Sequence, residues 1–142
     1  MTSERKVTVI PQKPKHIYRV GIYCRVSSRS QEQLASLSTQ ASHLARLAAA
    51  KPGWRIVDVY LDVKTGSDAT DRSEFQRLLA DCRAGQIDII ITKSISRFGR
   101  NTVETLSAIN EMRAKGVEIV FELEEISTND SASQMYISII EG

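Results

Sequence analysis

Four runs rich in β-branched residues alternate with helical patterns between Tyr18 and Leu123, and this alternation restricts the fold more than any other feature of the sequence. Strands separated by helix-length segments are the signature of βαβ units and a mostly parallel sheet. The expected strands are Arg19 to Arg25, Trp54 to about Asp62, Ile87 to Thr92 and Val117 to Leu123. The third is apolar throughout apart from Asp88, as befits a strand covered on both faces, and is placed at the centre of the sheet.

Helices are expected in the gaps. Leu34, Leu37, Ala41, Leu44, Leu47 and Ala48 recur at helical spacing within Gln33 to Ala50, and Pro52 and Gly53 end that segment. Ser73 and Gln76 can cap a helix that Gly85 terminates. Asn101 and Glu104 cap another, over Thr102 to Lys115, with Val103, Leu106, Ile109 and Met112 facing inward and Gly116 at its end. The fold class is therefore α/β, with a central, mostly parallel sheet of about four or five strands and helices on both faces.

The 142 residues suffice for one compact domain with a real core. Residues 1 to 17 carry Pro11, Pro14 and scattered basic groups without a period and are read as a basic flexible arm, leaving 18–142 as the domain. A final amphipathic pattern with Ser131, Gln134, Met135, Tyr136, Ile139 and Ile140 is still forming at Gly142, so the chain is expected to be a fragment of something longer. Cys24 and Cys82 lie in no metal-binding or disulfide pattern, and no signal peptide or membrane-length apolar run is present, which points to a cytoplasmic protein without a membrane partner.

In open α/β sheets ligands bind beyond the carboxyl ends of the strands. Three such loops carry arginine here. The first strand ends in Tyr23-Cys24-Arg25-Val26-Ser27, and strand alternation sends Tyr23, Arg25 and Ser27 to one side about 7 Å apart, leaving room for a phosphate between the last two. Arg72 precedes one expected helix; Lys93, Ser96, Arg97 and Arg100 lie in the loop before the next. Helix N-termini and guanidinium forks both favour anions, so Arg25, Arg72, Arg97 and Arg100 are expected to converge on a phosphate, with Tyr23, Lys93 and Ser96 among the phosphate- or DNA-binding groups. Ser27 is then a candidate nucleophile, although Ser28 and Ser30 stand close by and a turn role for it is open. Glycine-rich nucleotide loops are absent, and His16 and His43 form no pair suited to a hydrolase triad or a metal site.

Tyr23-Cys24-Arg25-Val26-Ser27, Ser36-Leu37-Ser38-Thr39-Gln40, the Thr65-Gly66-Ser67 loop ending in Arg72, and Ser96-Arg97-Phe98-Gly99-Arg100-Asn101 together resemble the resolvase/invertase family of serine recombinases, in order and in spacing. The resemblance implies DNA cleavage and rejoining through a 5′-phosphoserine at Ser27, with Arg25, Arg72, Arg97 and Arg100 on the phosphate and Gln40 arranging the site. It implies no metal or other cofactor. Double-stranded DNA is the implied partner, bound by a homodimer that pairs sites in a homotetramer. Ser96 departs from the aspartate usual before the first arginine of the D-R-x-x-R motif, and Lys93-Ser94-Ile95-Ser96-Arg97-Phe98 is similar to the branch of large serine recombinases and transposases.

Two readings of another class compete. A metal-dependent α/β nuclease would draw on Asp58, Asp62 and Asp88; a non-catalytic α/β module would use the arginines to hold a partner's phosphate or acidic surface.

Overall fold

The computed structural model describes residues 16–27, 30–63, 72–99 and 101–130. Most of the arm, Ser28, the Thr65-Gly66-Ser67 loop, Arg100 and the amphipathic pattern from Ser131 onward lie outside the described residues.

The elements follow in the order β1 (Tyr18–Val26), α1 (Gln31–Ala49), β2 (Trp54–Val63), α2 (Ser73–Arg83), β3 (Ile89–Thr92), α3 (Ile95–Phe98), α4 (Thr102–Ala114), β4 (Glu118–Phe121) and β5 (Ile126–Ser127). The sheet has the strand order β2-β1-β3-β4-β5, so β3 occupies the middle as its apolar run requires. All pairings are parallel except the last, where β4 meets β5 antiparallel. β5 was not among the expected strands, because two residues in a polar loop carry no period.

Two apolar layers enclose the sheet. On one face Val20, Ile22, Cys24, Ile89 and Ile91 pack against Leu37, Leu44 and Ala48 of α1. On the other, Tyr23, Tyr60 and Ile90 meet Phe75, Leu78, Phe98, Ile109 and Met112. Tyr23, Phe75, Phe98 and Phe121 form a chain of edge-on ring contacts with centroids 5.1–5.9 Å apart between successive rings, and full burial of each such side chain is worth about 1.5–3 kcal/mol.

A bulge in β2 decides which of its residues face which layer. The β1 register passes from Val20 opposite Ile56 to Gly21 opposite Asp58, skipping Val57. The skip reverses the alternation, because side chains change face at each residue. Asp58, Tyr60 and Asp62 are thereby turned towards α2, while Trp54, Ile56, Val59 and Val63 pack on the α1 side.

Several helical expectations are corrected. α2 has no side-chain cap from Ser73; its N-cap is Arg72, and the Asp62 carboxylate of β2 instead accepts from the Glu74 and Phe75 amides at 3.1 and 3.0 Å. Val103, expected inside, is 78% exposed. The positions 103, 106, 109 and 112 step by three, and nine residues at 3.6 per turn put Val103 about 180° from Met112. The buried face of α4 is Thr105, Ala108, Ile109 and Met112. Leu34 and Leu47 of α1 are likewise exposed, leaving Leu37, Gln40, Leu44 and Ala48 as its inner face. The Asn101 cap of α4 is present as expected, its side chain accepting from the Glu104 amide at 2.8 Å.

Candidate active site

The carboxyl edge of the sheet gathers most of the arginines singled out from the sequence, in two different states. Arg25 leaves β1 just before Ser27, and the alternation that buries Tyr23 in the α2 layer directs Arg25 to the same side. Its Nη2 donates to the Ser96 carbonyl at 3.2 Å, and the Arg97 Nη1 donates to the Arg25 carbonyl at 3.4 Å. β1 and α3 are thus crosslinked by the two arginines. Neither forms an ion pair with a carboxylate among the described residues, and the buried Nε of Arg25 has no hydrogen-bond partner there. Burial first, and then the nearby Arg72 and Arg97 charges, hold the Arg25 guanidinium below its ordinary value. A half-buried cation without an anion is electrostatically unfavourable, and an anionic ligand would relieve it.

Arg72 is internal. Only 5% of it is exposed, and it lies 4.1 Å over the Phe75 ring. Nη1 donates to Glu104 at 2.5 Å, while Nη2 donates to the Tyr23 hydroxyl at 2.9 Å and to the Phe98 carbonyl at 2.5 Å. The Tyr23 hydroxyl in turn donates to Asp62 at 2.8 Å. Burial pushes the Tyr23 phenol well above its usual range, which keeps it a donor to that carboxylate. One expectation is corrected here: Tyr23 is fully buried and has no surface for DNA, while Arg72, expected on the phosphate, has its guanidinium bonded to groups of the protein.

Close backbone approach makes this packing possible. A Cβ on Gly99 would fall 1.8 Å from the Thr105 Oγ1 and 2.7 Å from its Cα, so only glycine lets the end of α3 lie against α4. The short α3 itself was not foreseen from the sequence. Ser94 caps it by accepting from the Arg97 amide at 3.2 Å, and Ile95 and Phe98 anchor it in the core. Ser96, at the position of the usual aspartate, is exposed and places its hydroxyl 3.1 Å from that of Ser94.

Gln40 and Lys93 meet elsewhere, in a pocket of about 200 Å³ on the α1 side lined also by Ser36, Thr39, His43 and Glu122. The buried Oε1 of Gln40 lacks a partner among the described residues. His43 stands 3.6 Å from Glu122, a contact that its helical position did not announce. Ser27 itself is exposed at the end of β1, and Arg100 lies outside the described residues.

The carboxylates required by a metal-nuclease reading are each occupied. Asp58 accepts from Arg77 at 2.6 Å, Asp62 serves Tyr23 and the start of α2, and Asp88 accepts from Arg19 at the opposite end of the sheet. Among the described residues no helix is long and apolar enough to cross a membrane.

Residues 20–142 match the family model described as "Resolvase, N terminal domain". The chain belongs to the resolvase family of serine recombinases. It is 31% identical to the Transposon Tn3 resolvase of Escherichia coli over 122 residues, covering 86% of this chain and 60% of that protein. The R46 site-specific recombinase of Escherichia coli is 29% identical over 118 residues, covering 83% of this chain and 56% of the relative. This resolvase-family chain therefore spans about 60% or less of the length of these curated relatives. Among solved structures, the N-terminal catalytic domain of TP901-1 integrase superposes with a TM-score of 0.75 at 25% identity, covering 87% of this chain and 91% of that one. A resolvase family site-specific recombinase from Streptococcus pneumoniae gives 0.74 at 28% identity, covering 87% and 83%. The fold is that of serine recombinase catalytic domains.

Sequence reasoning missed Glu104, Asp62 and the Phe98 carbonyl as partners of the arginine cluster. Glu104 carried a signal, as a carboxylate in the first turn of a helix entered from an arginine-rich loop, but it was read only as part of a cap.

Proposed function

We propose that this domain serves site-specific DNA recombination, cleaving and rejoining double-stranded DNA through a phosphoserine at Ser27. The Ser27 Oγ loses its proton and forms a bond to the scissile phosphorus; the bond from phosphorus to the 3′ oxygen breaks, and that oxygen takes up a proton. The products are a 5′-phosphoserine and a free 3′-hydroxyl. Rejoining is the same exchange in reverse with a new 3′-hydroxyl, so the phosphoester bond energy is conserved and no nucleotide is consumed.

The observation that carries this reading is the state of Arg25. It sits two residues before an exposed serine, bonded through its guanidinium to a backbone carbonyl, with no carboxylate partner among the described residues and a buried Nε left over. Such a group suits a trigonal-bipyramidal phosphorane, whose added negative charge it meets without rearranging solvent. Arg97, tied to the Arg25 carbonyl, reinforces the same positive edge. Family membership supplies the substrate class. Arg72 and Arg100 complete the phosphate site, Gln40 arranges it, and Lys93 and Ser96 act on adjoining DNA. The working assembly is a homodimer on each site and a homotetramer in synapsis.

The test uses the full-length protein and a suicide duplex nicked beside its crossover point, which traps cleaved strands. A covalent protein–DNA adduct mapped to Ser27, formed in the presence of a metal chelator and lost in Ser27→Ala, is expected. Failure of the wild-type protein to form an adduct, or an undiminished adduct in Ser27→Ala, overturns the reading and leaves a non-catalytic phosphate-binding module.

A further inference from the structure

The three buried side-chain atoms without a hydrogen-bond partner among the described residues are Arg25 Nε, Arg72 Nε and Gln40 Oε1. Arg25 and Arg72 are among the arginines that the sequence marks for phosphate chemistry, whereas Gln40 lines the separate pocket on the α1 side. The two guanidinium Nε groups are donors at the carboxyl edge of the sheet, and leaving a buried donor unpaired is costly.

The rest of the Arg72 guanidinium is held by the protein itself. Its Nη1 and Nη2 donate to Glu104, Tyr23 and the Phe98 carbonyl, and Phe75 covers its face, so this guanidinium cannot offer two parallel donors to a phosphate. The protein oxygens among these partners differ in exposure. Tyr23 and the Phe98 carbonyl are fixed in the core, whereas Glu104 rides on the first turn of α4 with a quarter of its side chain exposed. The Glu104 carboxylate is therefore the partner of Arg72 that an incoming phosphate can replace. It is also the only negatively charged one.

On the reading of Ser27 chemistry above, we propose that Glu104 is a positioning residue acting through Arg72: its carboxylate stands in for the scissile phosphate in the DNA-free protein and cedes the guanidinium to DNA on productive engagement. A phosphodiester entering beside Arg25 competes with Glu104 for the same cation. Cleavage is then coupled to an exchange of anions on a guanidinium that keeps its place.

Glu104→Gln removes the competing charge and keeps the side-chain shape. In the full-length protein with the suicide duplex, the expected result is adduct formation about tenfold faster than wild type, which is the lower end of what one charge-assisted hydrogen bond contributes. The gain should vanish when Arg72→Lys is added. A lesion that merely loosens the fold does not accelerate cleavage, so adduct formation at the wild-type rate or slower overturns the proposal.

Binding decides the matter separately from Ser27 chemistry. In a Ser27→Ala background, affinity for an uncleavable duplex should rise about tenfold with Glu104→Gln, by the same competition. Unchanged or weaker binding overturns the role of Glu104 even if wild type cleaves, and tighter binding upholds it even if wild type forms no adduct. Should Glu104→Gln not fold, Glu104→Asp, which keeps the charge and shortens its reach, is expected to tighten binding by a smaller factor, and unchanged binding there overturns the proposal equally.

Discussion

Arginines at the two ends of this sheet meet opposite fates. At the amino end and along the α2 flank three arginines are matched to acid: Arg19 makes a two-point contact with Asp88 at 3.0 Å, Arg77 bonds Glu74 and Asp58, and Arg83 bonds Glu111. At the carboxyl end Arg25 and Arg97 bond backbone carbonyls, and Arg72 bonds the Glu104 carboxylate. The matched pairs are complete as they stand. At the carboxyl edge Arg25 and Arg97 have no carboxylate partner among the described residues, which is the electrostatic difference between that edge and the matched pairs.

The contrast can be broken most severely at Arg72. Arg72→Ala leaves Glu104, Tyr23 and the Phe98 carbonyl without their donor and is expected to lower unfolding free energy by about 3 kcal/mol, the lower end for a broken buried pair because Glu104 is partly solvated; urea denaturation measures it. Arg25→Ala should divide the two properties that coincide in Arg72. Cleavage of the suicide duplex is expected to fall about 100-fold, as for a lost donor at a developing anion, with stability unchanged or raised because an unpaired half-buried cation is gone. A stability loss like that of Arg72→Ala would show that Arg25 is structural and would erase the distinction between the two ends.

A smaller effect is expected at Asp88, where the hydrogen bonds from Arg19 outweigh burial and hold the carboxyl below its usual range. With the folded value depressed, the unfolded chain binds the proton more readily, so this contribution is complete above the ordinary carboxylate value of about 4 and is lost as pH falls through the folded value. The acid limb of stability against pH should therefore flatten in Asp88→Asn, and an unaltered limb would count against the pair. The smallest change belongs to Arg83→Ala. Its pair with Glu111 is largely solvated, and a loss below about 1 kcal/mol is expected by thermal or urea unfolding.

Much of the fold was legible because parallel strands buried on both faces must be apolar, and their connections must be long enough for helices. Ile89 to Thr92 announced the centre of the sheet on those grounds. The inner faces of α1 and α4 were less legible, since apolar residues spaced by three, such as Val103 and Met112, drift around the helix and do not share a side. The bulge at Val57 left no mark in the sequence at all, although it turns Asp62 towards α2 and so supplies that helix with its cap.

For the site, sequence alone determined which residue types would arrive at the carboxyl edge: a serine and an arginine ending one strand, and further arginines entering from two other loops. Chain order at strand ends fixes that much, because each loop must emerge where its strand stops. Which arginine is free to meet an anion and which is already held by one was decided only by tertiary structure. Arg25 and Arg72 look alike in the sequence. Their difference arises because Glu104, thirty-two residues beyond Arg72, is carried back against it by the packing of α4 on the sheet, and no spacing along the chain pairs one particular arginine with a carboxylate so distant.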